Sequence, residues 1–171
     1  MDEGFAKPTV ITTGNSEVSH TVNSEGVAKY FFRVRALNGT DQSPWSNVQS
    51  VEVRWEKEPN NTYLQAHENL GGPMFPGVSY YGYQKDEKDY FFFRTLTPGD
   101  ITVALDDTVG DAVQLQLFRN AATVENRVAY DATPPFRVSY RGDAGTYYVF
   151  IYTAPGSPAP GRPYIVRALF P

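Results

Sequence analysis

Cysteine is absent from the chain, so no disulfide can staple the fold and no thiolate can hold a metal. Histidine is scarce: His20 and His67 stand far apart, and neither has the His-x-x-x-His or His-Glu-x-x-His spacing of a zinc site. No segment is rich in Lys and Arg. With 15 basic against 19 acidic residues, the formal net charge is −4. A nucleic-acid binder needs a basic stripe, and so does a protein drawn to an anionic membrane; neither partner is expected. No apolar run approaches the roughly 18 residues of a spanning helix. The first five residues are acidic and lack a signal-peptide core, so a secretion signal, if there is one, is expected upstream. There is no Gly-x-Ser-x-Gly elbow, and the acidic residues gather in turns rather than on facing strands, so no enzymatic activity is expected.

What the chain does have is 12 Tyr, 11 Phe, 14 Gly and 13 Pro, a mixture suited to short strands and tight turns. A weak alternation over 17–23 suggests a strand. A clearer one over 27–36 puts Tyr30, Phe32 and Val34 on one face and Lys29, Phe31, Arg33 and Arg35 on the other. Asn38-Gly39 marks a turn. Alternation returns over 48–55, with Val51, Val53 and Trp55 sharing a face. Trp45 is expected to pack over Arg33 and Arg35. The charged, Pro-containing stretch from Glu56 to Asn61 then reads as a domain boundary, and Tyr63 to Ala66 as a single helical turn. Beyond it, strands are predicted near 78–83, 89–95, 100–105, 113–118, 126–131, 135–140, 145–152 and 163–169. Strands at roughly ten-residue spacing predict an all-β, antiparallel β-sandwich of jelly-roll type.

Two clusters carry the chemistry. The first is Glu56, Glu58, Asn60 and Asn61; the second is the turn Asp86-Glu87-Lys88-Asp89, which runs into the aromatic strand Tyr90-Phe91-Phe92-Phe93. Calcium takes six to eight oxygen ligands in loose geometry, and two such loops can supply them. In an extended chain, i and i+2 point the same way, so Glu56, Glu58 and Asn60 can converge. The spacing alone leaves two readings open, an ion site or a solvated acidic linker beside a charged turn. Asp106-Asp107-Thr108 with Asp111 is a second acidic loop, read first as a plain turn. In the aromatic strand, Phe91 and Phe93 are expected to face the core beside Leu115 and Leu117. Phe92 and Asp89 are expected to face outward.

Residues 30–47 resemble the end of a fibronectin type III domain, carried by Arg33-Val34-Arg35-Ala36, the turn, and Ser43-Pro44-Trp45-Ser46. Residues 1–55 would then be a partial domain lacking roughly its first half, and are not expected to fold alone. Residues 56–171 resemble a bacterial pre-peptidase C-terminal domain, a β-sandwich of secreted peptidases related to the collagen-binding domains of clostridial collagenases. The resemblance rests on Glu58-Pro59-Asn60-Asn61-Thr62 with Ala66, on Asp86-x-x-Asp89-Tyr90-Phe91, on Gly110-Asp111-Ala112-Val113, and on Gly145-Thr146-Tyr147-Tyr148-Val149 with Tyr164-Ile165-Val166. It implies a calcium ion at Glu56, Glu58, Asn60, Asn61, Asp86 and Asp89. Asn61 stands where an aspartate is common, which makes the implied site one charge poorer.

The resemblance implies a secreted, non-catalytic accessory module beside the catalytic domain of its parent chain, aiding secretion, folding or substrate attachment. Two alternatives stand beside it. One is a collagen- or carbohydrate-binding module that grips an extracellular protein or polysaccharide through tyrosines among Tyr80, Tyr81, Tyr83, Tyr140, Tyr147, Tyr148, Tyr152 and Tyr164. The other is a structural spacer of a modular surface protein.

Overall fold

The computed structural model describes residues 9–14, 27–69, 73–83, 85–106, 112–157 and 163–171. The expected strand over 17–23, His20, and residues 107–111 of the second acidic loop lie outside them. In chain order the elements are β1 (Val27–Phe32), β2 (Leu37–Asn38), β3 (Asp41–Gln42), β4 (Gln49–Trp55), α1 (Tyr63–Asn69), β5 (Ser79–Tyr83), β6 (Lys88–Thr95), β7 (Gly99–Asp106), β8 (Val113–Arg119), β9 (Arg127–Asp131), β10 (Phe136–Gly142), β11 (Gly145–Thr153) and β12 (Pro163–Leu169). The eight strands read from alternation beyond residue 77 are all present, with ends within about two residues of expectation.

Two sheets form the sandwich. One has the order β1-β4-β5-β12-β7-β10, the other β6-β11-β8-β9. All pairings are antiparallel except β4 with β5, which run parallel through Arg54↔Tyr80 and Trp55↔Tyr81. That short pairing carries β1 and β4 into the edge of the larger sheet. The Trp55 ring is buried there, stacked 4.9 Å from Tyr83 and tilted against Tyr81 at 5.3 Å. The β2–β3 hairpin turns at Gly39, whose φ of 60° is open to glycine without strain. As expected, Trp45 packs on arginine, with the Arg33 and Arg35 guanidinium carbons 4.5 and 4.4 Å from its ring centre. Ser43 and Ser46 accept the Ala36 and Val34 amides at 2.9 and 3.0 Å, doing for this stretch what a neighbouring strand does elsewhere.

The core lies between the sheets. Phe91 and Phe93 of β6 meet Leu115 and Leu117 of β8, Val149 and Ile151 of β11, Val103 and Leu105 of β7, and Tyr164 and Val166 of β12. The expected inward parity of Phe91 and Phe93 is therefore observed. Phe92 does point to the opposite face, but that face is not open. Phe92, Tyr148 and Phe118 are buried in a second cluster beneath α1, with the His67 ring 4.6 Å from Phe92 and Tyr63 set edge-on to Tyr148 at 5.1 Å. The helix begins on Thr62, whose hydroxyl caps it by accepting the Gln65 amide and also donates to the Gln65 side chain. It runs two turns rather than the single turn expected. His67 also accepts a hydrogen bond from Arg94 at 3.0 Å, so it serves packing.

Two outcomes follow from these contacts. Phe93→Ala should cost about 3–5 kcal/mol, and Phe92→Ala should fall near the lower end of that range because α1 can settle into the gap; chemical denaturation of the two variants measures both. An indifferent Phe92→Ala would mean that α1 does not seal its face. Deleting residues 1–54 should leave a cooperative melt at a lower temperature, since β5 loses its parallel neighbour. A truncated chain without a cooperative transition would make the β1–β4 hairpin integral to the core.

Candidate metal centre

The segment 56–60 leaves β4 and crosses from one sheet to the other. At its start the Glu56 amide donates to the Tyr81 carbonyl of the larger sheet at 2.7 Å. At its end the Asn60 carbonyl accepts the Tyr90 amide of the smaller sheet at 2.9 Å. The Glu58 carboxylate accepts the Asn60 amide at 2.9 Å, which folds the segment back on itself. The seam thus passes the first residues of β6, beside Asp89.

This crossing buries acid. Glu56 is 3% exposed, Asp89 1% and Asn60 0%, while Glu58 and Asp86 are half-buried and Asn61 is exposed. One carboxylate oxygen each from Glu56, Glu58 and Asp89 lie within 4.8 Å of one another. The Tyr164 hydroxyl sits between two of them, 2.8 Å from Glu56 Oε2 and 2.9 Å from Asp89 Oδ2. Its single proton can satisfy only one. The other Glu56 oxygen accepts the Tyr83 amide. Asp89 Oδ1, Asp86 Oδ1 and Asn60 Oδ1 are buried without a hydrogen-bond partner. A buried oxygen in that condition is costly unless a proton or a cation meets it.

The charge balance is correspondingly strained. Burial, reinforced by the neighbouring carboxylates of Glu56 and Asp86, pushes the Asp89 carboxyl up to about 10. Burial likewise raises Glu56 to about 7, opposed by its hydrogen bonds from Tyr83 and Tyr164. Tyr164, wholly buried beside both acids, is raised well above the usual phenol value, first by burial and then by their charges.

Of the six residues read from the sequence, Glu56, Glu58 and Asp89 are brought together. Asn60 and Asp86 offer unpartnered oxygens, and the Asn61 side chain faces solvent. One expectation is corrected. Asp89 does not point outward: residues 89, 91 and 93 share parity, so its carboxylate lies on the core face with Phe91 and Phe93, at the mouth of the sandwich. Two contributors were missed. Tyr164 stands in the sequence reading as a strand residue and as one of the tyrosines of a binding face, not as a partner of the acids. Gly82 faces the Tyr164 ring and the Glu56 carboxylate so closely that a methyl group there would overlap both. A glycine inside Ser-Tyr-Tyr-Gly-Tyr is the signal that could have found it, because a strand glycine often marks close approach.

The set is all oxygen, with carboxylates and an amide from two loops and no imidazole or thiolate. That chemistry suits a hard cation, and the three unpartnered buried oxygens give such an ion something to bind.

No family model matches the chain. Among solved structures, the chain is similar to the pre-peptidase C-terminal domain of a collagenase from Bacillus anthracis, with a TM-score of 0.48 and 15% sequence identity over 57% of this chain and 92% of that domain.

Proposed function

We propose that this chain is a non-catalytic accessory module of a secreted enzyme, a peptidase by the resemblance of its motifs, and that a calcium ion fastens its sandwich along the 56–60 seam. The observation that carries the metal reading is the meeting of Glu56, Glu58 and Asp89; a buried oxygen without a hydrogen-bond partner on Asp89 itself, and others on Asn60 and Asp86, support it. Glu56, Glu58, Asn60, Asp86 and Asp89 would hold the ion. The ion supplies two positive charges where the described residues show no Lys or Arg bridged to Glu56 or Asp89. It acts as a staple between sheets in a chain without disulfides. Of the tyrosines named for a binding face, Tyr80, Tyr147, Tyr148 and Tyr164 are buried in the two clusters of the fold, and Tyr81, Tyr83, Tyr140 and Tyr152 are half-buried.

Linkage gives the test a sign. Glu56 and Asp89 have folded-state pKa values above their ordinary 4.5 and 3.8. The metal-free fold therefore holds their protons more tightly than the unfolded chain does. Stability from this source is complete below about pH 4 and is lost as pH rises, through about 7 for Glu56 and about 10 for Asp89. Calcium competes with those protons, so its effect grows with pH.

At pH 8, calcium at about a hundred times its dissociation constant should raise the melting temperature by roughly 5–10 °C, and at pH 5 by clearly less. A melting curve indifferent to millimolar calcium and to chelator would reject the site. Glu58→Gln keeps an acceptor for the Asn60 amide but removes a charge, so it should diminish the calcium response while raising the metal-free melting temperature at neutral pH. Gly82→Ala should lower both the stability and the response, because the methyl displaces Tyr164 from Glu56. If Glu58→Gln retained the full response, the ion would sit elsewhere.

A further inference from the structure

Asn38-Gly39 is the only place in the chain where glycine follows asparagine. It forms the tip of the β2–β3 hairpin, in which Leu37 lies opposite Gln42 and Asn38 opposite Asp41. Gly39 and Thr40 alone close the loop. Gly39 has a φ of 60° and Thr40 is not in the left-handed region, so the loop is a type II′ turn with glycine at its first central position. That position leaves the Gly39 N–H outside the hairpin's hydrogen bonds, and no other group among the described residues takes it up. The Asn38 side chain is exposed and likewise makes no hydrogen bond among them. A Cβ on Gly39 would meet nothing within 4 Å, so no other described part of the chain crowds the turn.

We propose that Asn38 is a site of spontaneous deamidation, with rearrangement of the main chain at Gly39. The Gly39 nitrogen, having given its proton to solvent base, attacks Cγ of the Asn38 side chain. The new N–Cγ bond closes a five-membered succinimide. The bond from Cγ to Nδ2 breaks, and the side-chain nitrogen leaves as ammonia, its third hydrogen replacing the proton that Gly39 gave up. Water then opens the ring. Attack at Cγ yields aspartate; attack at the main-chain carbonyl yields isoaspartate, in which the chain runs through the side-chain carbons. Water is the sole co-reactant, and nothing is oxidised or reduced.

The other described asparagines each fail one requirement. At Asn47 the next residue is Val48, whose branched side chain crowds the approach. At Asn120 the following amide, of Ala121, is committed to the Arg119 carbonyl at 2.8 Å. At Asn126 the carboxamide donates to the Thr123 hydroxyl at 2.7 Å. The extended backbone of Asn38 must rotate before Cγ reaches the Gly39 nitrogen. The hairpin permits this, because it is two residue pairs long and wholly exposed, and so short a ribbon opens easily in water. Either product sets a carboxylate opposite Asp41, and like charges directly opposite work against strand pairing. Isoaspartate also lengthens the main chain by one carbon, which throws the pairing out of register. The conversion therefore turns a neutral hairpin tip into an acidic, unpaired one.

Incubation of the full chain at mildly alkaline pH, followed by tryptic peptide mapping, tests the proposal. The peptide from Ala36 to Arg54 holds Asn38 and Asn47, and fragmentation in the mass spectrometer tells them apart. Asn38 should show the mass gain of an amide-to-acid exchange before any other asparagine, and an isoaspartate-specific methyltransferase should label that peptide. Gly39→Ala should slow the conversion at least about tenfold, since a methyl group obstructs the attacking nitrogen. Asn38→Gln, whose ring needs a sixth atom, should remove the label from the peptide. Both variants should keep the thermal melt of the main sandwich. An Asn38 that stays intact overturns the proposal, whether or not another asparagine converts. So does a Gly39→Ala chain that converts at the unaltered rate, and so does a label that persists in Asn38→Gln, which would place the chemistry elsewhere.

Discussion

Three carboxylates held within 4.8 Å of one another at the mouth of a hydrophobic core are the constraint on which this structure turns. At an effective dielectric of about 20, each like-charged pair at that distance repels by on the order of 3 kcal/mol. Domains of this size have only about 5–15 kcal/mol of net stability. The fold can therefore keep the cluster only by neutralising it, with protons or with a cation. Burial and mutual repulsion already force the first solution in the metal-free protein, where Asp89 is pushed up to about 10 and Glu56 to about 7. The unpartnered oxygens around them are what the second would use.

The position of that cluster follows from the chain path. The larger sheet supplies Tyr164 and the Tyr83 amide; the smaller one supplies Asp89; the segment 56–60 joins them through one backbone hydrogen bond at each end. Whatever neutralises the acids therefore ties together the two layers and the incoming β4. Gly82 belongs to the same arrangement, because only a residue without a side chain lets the Tyr164 hydroxyl reach both carboxylates. On the outer face of the smaller sheet, α1 covers the cluster of Phe92, Phe118 and Tyr148.

Much of the fold was legible because strands declare themselves locally. Alternation located β5 to β12, and the same parity correctly turned Phe91 and Phe93 inward. The acid clusters were visible as spacing: Glu56, Glu58 and Asn60 at i, i+2, i+4, then Asp86 and Asp89 ahead of an aromatic run. Parity also contained the direction of Asp89, which must follow Phe91. Asp89 is buried on that face because the acidic loop lies over the core opening, where Tyr164 meets it.

What the amino-acid order determined by itself was local: periodicity, turn residues, and which oxygen-bearing side chains sit within reach of one another along the chain. What the tertiary structure decided was contact between segments far apart in sequence. The burial of Phe92 depends on a two-turn helix lying across its face, and a helix that short has no periodicity to announce itself. The joining of β4 to β5 rests on two residue pairs, Arg54 with Tyr80 and Trp55 with Tyr81, which nothing in either strand specifies. The partnership of Tyr164 with Glu56 and Asp89 spans 108 and 75 residues. Only the closing of one sheet over the other brings that hydroxyl between the two acids, because hydrogen bonds and desolvation act through distance in space, and sequence spacing constrains that distance only over a few residues.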